Sequence, residues 1–183
     1  MYSTRALFKR FKKGYENALK GHKIIFKDWN DTEGIRNTLR KKSVSGIIIT
    51  GSNYFVKGRM HSTIDESIMR SRLPILAICY GFQYILAKKS FIKSNKDGYM
   101  KYHKSFRIGT PPLPHTKYFF YHRDYVVKVP KTFKVIKRIK NKIVIAYNSK
   151  KNILGVQFHP EKYKKSARQF FKFWISNYIT ERK

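Results

Sequence analysis

A single residue separates a strand pattern from a helix pattern in the stretch PILAICYGFQYILA. LPILAI (73–78) is a short apolar run of the kind buried on both faces of a sheet. YGFQYILAKK (80–89) reads as a helix. Only Cys79 lies between them, so the chain must turn sharply there. Strand and helix then nearly touch, and the small residues Ala77 and Gly81 on either side satisfy that need. Such an elbow thrusts its central side chain out at the carboxyl end of the sheet. The helix start also presents free N–H groups and a positive dipole end, which favours a thiolate and a developing oxyanion. Cys79 is the only cysteine. It is either a small buried hydrophobe, a common use of free cysteine, or a nucleophile.

The surrounding pattern is consistent with a parallel α/β sheet. Residues 4–20 carry apolar groups at helical spacing (Leu7, Phe8, Phe11, Tyr15, Leu19) up to Gly21. HKIIF (22–26) reads as a strand, DTEGIRNTLRKK (31–42) as a helix with Asp31 as N-cap, and GIIIT (46–50) as a buried strand. Thr63 and Glu66 have the spacing of a capping box, opening a helix that stops before Pro74. The second half changes character. KSFIKS, MKYHKSFRI, KYFFY, YVVKV, FKVIKRI, KIVIAY and ILGVQF are short strand patterns separated by turns, with a loop at 109–114. Lys162–Arg182 closes the chain as a helix with the stripe Ala167, Phe170, Phe171, Trp174, Ile175, Tyr178, expected as core packing. No repeat or linker divides the chain, so one domain over 1–183 is expected.

A chain with one cysteine forms no internal disulfide, which fits a reducing setting, expected to be cytoplasmic. No apolar run approaches the roughly 18–20 residues of a membrane-spanning helix, and the N-terminus does not read as a signal peptide. Lys and Arg number 41 against 10 Asp and Glu, giving a net charge of +31. That field favours weak, salt-sensitive, non-specific binding of nucleic acid or other polyanions. The lysines are spread along the chain and accompany many Ile, Asn, Tyr and Phe, as an AT-biased coding sequence would produce. No zinc-finger spacing, P-loop or RNP-like aromatic motif is present. No metal site is expected from the scattered histidines, and no cofactor is called for; His22, His61, His103 and His115 are expected on the surface or in loops. Asp65 and Glu66 belong to a helix start, and Asp124 is expected to stabilise its loop.

A nucleophile needs a base. Near the other end stands ILGVQFHPEK, where His159 and Glu161 are two apart. An extended backbone places them on one side, and Pro160 is expected to keep it extended. A glutamate holding one imidazole nitrogen leaves the other to take a thiol proton. Each motif alone is weak; the pair, each after a strand pattern, is strong.

ICYGFQ, YHRD (121–124) and GVQFHPE together resemble the class I glutamine amidotransferase domain, most closely the glutaminase domain of GMP synthase. ICYGFQ is similar to that family's G-x-C-Y-G-M-Q elbow, YHRDYVVKVP to its S-H-G-D-x-V…P segment, SNKDGYMKY to its S-x-x-R-E-Y/F-G segment, and GIIITGS to its I-I-L-S-G-G-P loop. The resemblance covers about residues 5–180. It implies a flavodoxin-like α/β three-layer sandwich with a mostly parallel central sheet and extra antiparallel strands in the second half. It implies that Cys79 attacks the side-chain amide of glutamine, with His159 as base and then acid, and Glu161 orienting it. Tyr80 N–H and the backbone near Gly51 and Ser52 would hold the oxyanion. Gln83 would help bind substrate, and the backbone at Tyr121 and His122 would hold its amino-acid end. No ATP-handling domain is present in these residues, so the ammonia is expected to go to a separate synthetase, which the positive surface could dock.

The departures are specific. Ser52 and Asn53 stand where the family has its second glycine and proline, Ala77 and Arg123 replace glycines, and Ala87-Lys88-Lys89-Ser90 replaces a Leu-Gly-Gly stretch. The family's first strand is missing, and MYSTRA cannot replace it. Either residue 1 is internal to a longer product or the sheet has lost or replaced a strand. Two other functions use the same residues: a γ-glutamyl hydrolase, since the triad cuts either amide, and a catalytically impaired binding protein on this scaffold.

Overall fold

The computed structural model describes residues 5–56, 63–86, 91–108 and 115–179, with side chains from residue 11 onward. The expected loop at 109–114, Ala87–Ser90, His61 and the side chains of Leu7 and Phe8 lie outside these.

β1 (Ile47–Ile49), β2 (Ile75–Ile78) and β9 (Ile153–Val156) pair in parallel, in that order. The sheet continues from β9 through the antiparallel strands β8 (Lys142–Asn148), β6 (Asp124–Val126) and β3 (Ile92–Ser94). β7 (Lys134–Ile139) also pairs with β8. β4 (Met100–Phe106) and β5 (Thr116–His122) form a separate two-stranded ribbon.

β2 and β9 are buried along their whole length because helices cover both faces. Successive side chains point to opposite faces. Leu76, Ile78, Leu154 and Val156 meet α1 (Arg5–Ala18) and α5 (Lys164–Tyr178) through Tyr15, Phe170, Phe171 and Trp174, with Leu19 just past α1. Burying each large apolar side chain of this kind contributes about 1.5–3 kcal/mol. On the other face, Ile75, Ile153 and Ile49 meet Ile35 of α2 (Thr32–Leu39) and Ile68 of α3 (Glu66–Arg70). Ala77 and Ala146 there meet Phe82 of α4 (Tyr80–Ile85). The result is a three-layer α/β sandwich.

Several local expectations hold. Asp31 caps α2 by accepting from Gly34 N–H at 3.0 Å. The α5 stripe buries Ala167, Phe170, Phe171 and Trp174 as core. Others are corrected. The N-cap of α3 is Asp65, which accepts from Ser67 N–H at 2.9 Å, rather than Thr63. Asp65 stands directly before the first turn, where its carboxylate reaches the orphan donor; Thr63 lies two residues further back. HKIIF is not a strand. Ile24 and Phe26 pack on the core while Ile25 is exposed, so the period-two side-chain pattern is real. The ladder is absent: among the described residues no strand precedes β1, and β1 bonds only to β2.

Candidate active site

The elbow forms as its sequence requires. Cys79 has φ 51° and ψ −105°, a conformation costing on the order of 1–3 kcal/mol outside glycine. It is held from both sides: Cys79 N–H donates to Val156 O at 2.7 Å, and Gln83 N–H donates to Cys79 O at 3.1 Å as α4 begins. Gly81 has no room for a side chain, since a Cβ there would lie 2.5 Å from Ile49 O. The thiol is almost fully buried. Its Sγ stands 3.8 Å from Tyr121 O and 3.6 Å from Gln157 Nε2.

His159 follows β9, the strand beside β2, and is fixed by its N–H donating to Phe119 O at 2.8 Å. Its Nδ1 lies 2.8 Å from Glu161 Oε1, and both side chains are buried. The backbone between them is not extended. Pro160–Lys162 is a single 3-10 turn, because proline's fixed φ suits the first position of a helical turn. The turn brings the carboxylate round to the imidazole, so the expected contact is made by a different backbone. α1 closes over the back of the pair. Phe11's ring centroid is 6.0 Å from that of His159, and a Cβ on Gly14 would lie 3.0 Å from Glu161 O.

Burial alone would push the His159 imidazole down. The neighbouring carboxylate of Glu161, the charge of Cys79 and a hydrogen bond to Cys79 outweigh it, and its pKa stands well above the ordinary histidine value. With Nδ1–H held by Glu161, the other nitrogen is left for the thiol.

The loop after β1 reaches the same point. A Cβ on Gly51 would lie 2.7 Å from His159 Cε1 and 3.4 Å from Cys79 Cβ. Gly51 is therefore required by close approach. Ser52 does not have a positive φ, so its side chain carries no left-handed strain. Its hydroxyl accepts from Tyr54 N–H at 3.1 Å and shapes the loop.

The remaining candidate residues divide. Tyr80 opens α4 with its ring buried between Tyr54 and Tyr84. Tyr121 brings its carbonyl to the thiol, while its ring is exposed and stacks on Tyr99 at 4.9 Å. Gln83 turns inward: its Nε2 donates to Asp124 O at 2.6 Å and to Gln157 Oε1 at 3.1 Å. His122 also faces inward, with Nδ1 2.9 Å from Asp124 O. Burial dominates there and pushes its pKa down to about 4. Arg123 lies 3.7 Å over the Phe55 ring and donates to Asp124 Oδ1 at 3.1 Å. Asp124 Oδ1 also accepts from Ser94 Oγ at 2.8 Å, so Asp124 does stabilise its loop.

Sequence reasoning missed Gln157 and Phe11 as site residues. Gln157 had a signal: it is a polar residue in an apolar strand, on the same face as His159 by the period of two. Phe11 had none beyond its helical stripe. Two open surface clefts lie elsewhere, one lined by Lys20, Arg168 and Lys172 between α1 and α5, the other beside α2 and α3; none of Cys79, His159 or Glu161 lines them.

A strand-to-helix elbow bearing a buried thiol, beside a buried histidine–carboxylate pair that follows the adjacent parallel strand, is set in a three-layer α/β fold. Comparison with known proteins specifies the family. The profile of the Glutamine amidotransferase class-I family matches residues 10–176. The chain belongs to that family. It is 30% identical over 157 residues to a glutamine-hydrolysing GMP synthase of Wigglesworthia glossinidia brevipalpis, covering 77% of this chain and 30% of that protein. It is 35% identical over 127 residues to that of Petrotoga mobilis, covering 65% and 25%. The chain thus spans less than a third of the length of these relatives. Its fold is similar to a glutamine amidotransferase crystal structure, with TM-score 0.59, 14% identity, and coverage of 90% of this chain and 92% of that one. It is also similar to the crystal structure of a GMP synthase-type protein from Thermoplasma acidophilum, with TM-score 0.54, 19% identity, and coverage of 81% and 76%. Among the described residues no helix is long and apolar enough to cross a membrane.

Proposed function

We propose that the chain hydrolyses the side-chain amide of glutamine to glutamate and ammonia through Cys79, His159 and Glu161. The observation that carries this reading is the placement of one strained, buried thiol against an imidazole that a buried carboxylate holds at 2.8 Å.

His159 takes the Cys79 proton, and the sulfur attacks the amide carbon. The electron pair of the C=O moves to oxygen. Tyr80 N–H and the backbone at Gly51 and Ser52 are the donors for that oxyanion. Collapse of the tetrahedral intermediate breaks the C–N bond, and His159 returns its proton to the departing nitrogen, releasing ammonia. Water, deprotonated by His159, then attacks the thioester carbon; the C–S bond breaks, glutamate is released and His159 returns the proton to the Cys79 sulfur. Glu161 keeps Nδ1 protonated and stabilises the imidazolium in each cycle. The backbone at Tyr121 and His122, whose Tyr121 carbonyl stands beside the thiol, is assigned to the amino-acid end of glutamine, with Gln83 bracing the neighbouring Asp124 carbonyl from inside. The activity named for the relatives supports glutamine as substrate and a GMP synthase-type synthetase as ammonia acceptor. The net charge of +31 favours an acidic docking face on such a partner.

The test is release of ammonia and glutamate from glutamine, beside γ-glutamyl peptides, by the purified chain and by Cys79→Ser. Release from glutamine that is abolished in the variant is the expected result. Preferential cleavage of γ-glutamyl peptides would move the assignment to that class. Activity that survives Cys79→Ser would end it.

A further inference from the structure

Gln157 is fully buried and takes no part in the chemistry above, yet its amide bridges Gln83 to the thiol. The polarity of this bridge is fixed from its far end. The carbonyl of Asp124 can only accept, so the Gln83 atom 2.6 Å from it is the NH2. The same NH2 lies 3.1 Å from Gln157, so the Gln157 atom facing it is the carbonyl oxygen. What Gln157 then turns to Cys79 Sγ, 3.6 Å away, is N–H. Flipping either amide alone would set oxygen against oxygen, or NH2 against NH2, at one of these contacts. His122 Nδ1, at 2.9 Å, occupies the same Asp124 carbonyl and leaves it no freedom to serve elsewhere.

We infer that Gln157 is a positioning residue for the nucleophile: anchored through Gln83 on the Asp124 carbonyl, it holds a fixed N–H donor against Cys79 Sγ and favours the thiolate over the thiol. This rests on the reading of Cys79 as nucleophile. The buried sulfur has little water to solvate its charge, so donors must come from the protein. Its neighbours pull in opposite directions. The Tyr121 carbonyl, at 3.8 Å, accepts only from the S–H and favours the thiol. The Gln157 N–H, 3.6 Å from the same sulfur, opposes it.

The chain has one cysteine, so alkylation by iodoacetamide reads Cys79 alone and needs no glutamine turnover. In Gln157→Leu and Gln157→Glu the alkylation rate at pH 6.5 is expected to fall roughly five- to tenfold, the worth of one hydrogen bond. By pH 9.5 it is expected to rejoin that of the unaltered protein. Gln83→Leu is expected to fall between, because the Gln157 amide loses the partner that sets its direction. A merely structural role would change the rate equally at every pH. Unfolding curves identify the variants that fold. In the unaltered protein, the side-chain amide resonances of Gln157 are expected to follow the ionisation of Cys79 as pH is raised, and to lose that dependence in Cys79→Ala. A pH profile unchanged in the folded variants, or amide resonances indifferent to Cys79→Ala, would overturn the inference. The expected alkylation pattern in a protein that does not hydrolyse glutamine would leave the inference standing and remove the substrate reading instead.

Discussion

His122 and His159 are two buried imidazoles on neighbouring parts of the fold, one at the β5–β6 corner and one after β9. Desolvation works on both in the same direction, towards the neutral ring. At His122 burial is the largest influence, the hydrogen bond to the Asp124 carbonyl offsets it only in part, and the pKa drops to about 4. At His159 the partner is a carboxylate with the thiol beyond, and the pKa rises well above the ordinary value. The nearby positive groups of Lys142 and His159 add to the fall at His122, while the charge of Glu161 and the thiol raise His159, so the two rings are driven to opposite protonation states.

Glu161→Gln should break the comparison most sharply. The amide keeps the shape and loses the charge, so His159 falls towards the behaviour of His122. Glutamine hydrolysis is expected to drop roughly 10⁴-fold, as for a carboxylate-to-amide change in such a triad. Stability responds as well. A histidine whose folded pKa is raised contributes stability that is fully present below its unfolded value of 6.5 and is lost as pH rises through the folded value. That alkaline loss should flatten in Glu161→Gln when denaturant unfolding is followed from pH 6 to 10.

His122 carries the opposite sign. Its folded pKa is depressed, so the unfolded chain binds the proton first as pH falls. Stability is therefore lost between about 6.5 and about 4, by up to about 3 kcal/mol. His122→Phe should remove this acid limb in denaturant titrations at pH 4–7, leaving the alkaline limb in place. The smallest effect is expected from Phe11→Ala, which removes the ring standing 6.0 Å from His159. A loss of about 1 kcal/mol in thermal unfolding, with hydrolysis changed less than about threefold, would place α1 as a cover rather than a working part.

The elbow was legible because local rules decide it: a buried run, a lone turning residue and a glycine two positions on leave one geometry. The His159–Glu161 pair was legible as a contact but not as a backbone, since spacing two suits both an extended chain and a 3-10 turn, and proline favours the latter. HKIIF shows the opposite failure. Its alternation correctly marks Ile24 and Phe26 as inward, yet a strand is defined by its neighbour, and the neighbour lies outside what five residues can encode. The backbone angle at Ser52, which stands where the family has a glycine yet has no positive φ, is not something the sequence announces. Gln157 stands out as a polar residue in an apolar run, but its bridge to Gln83 joins residues far apart in sequence, and nothing local announces that pairing.

The most direct measurement is labelling with a glutamine-mimicking electrophile, followed by mass spectrometry of the digested protein. The account requires one label per chain, on Cys79, protected by glutamine and slowed severely in His159→Asn. A folded protein that takes no label on Cys79, or takes it equally fast without His159, would contradict the pairing of thiol and imidazole on which the function rests.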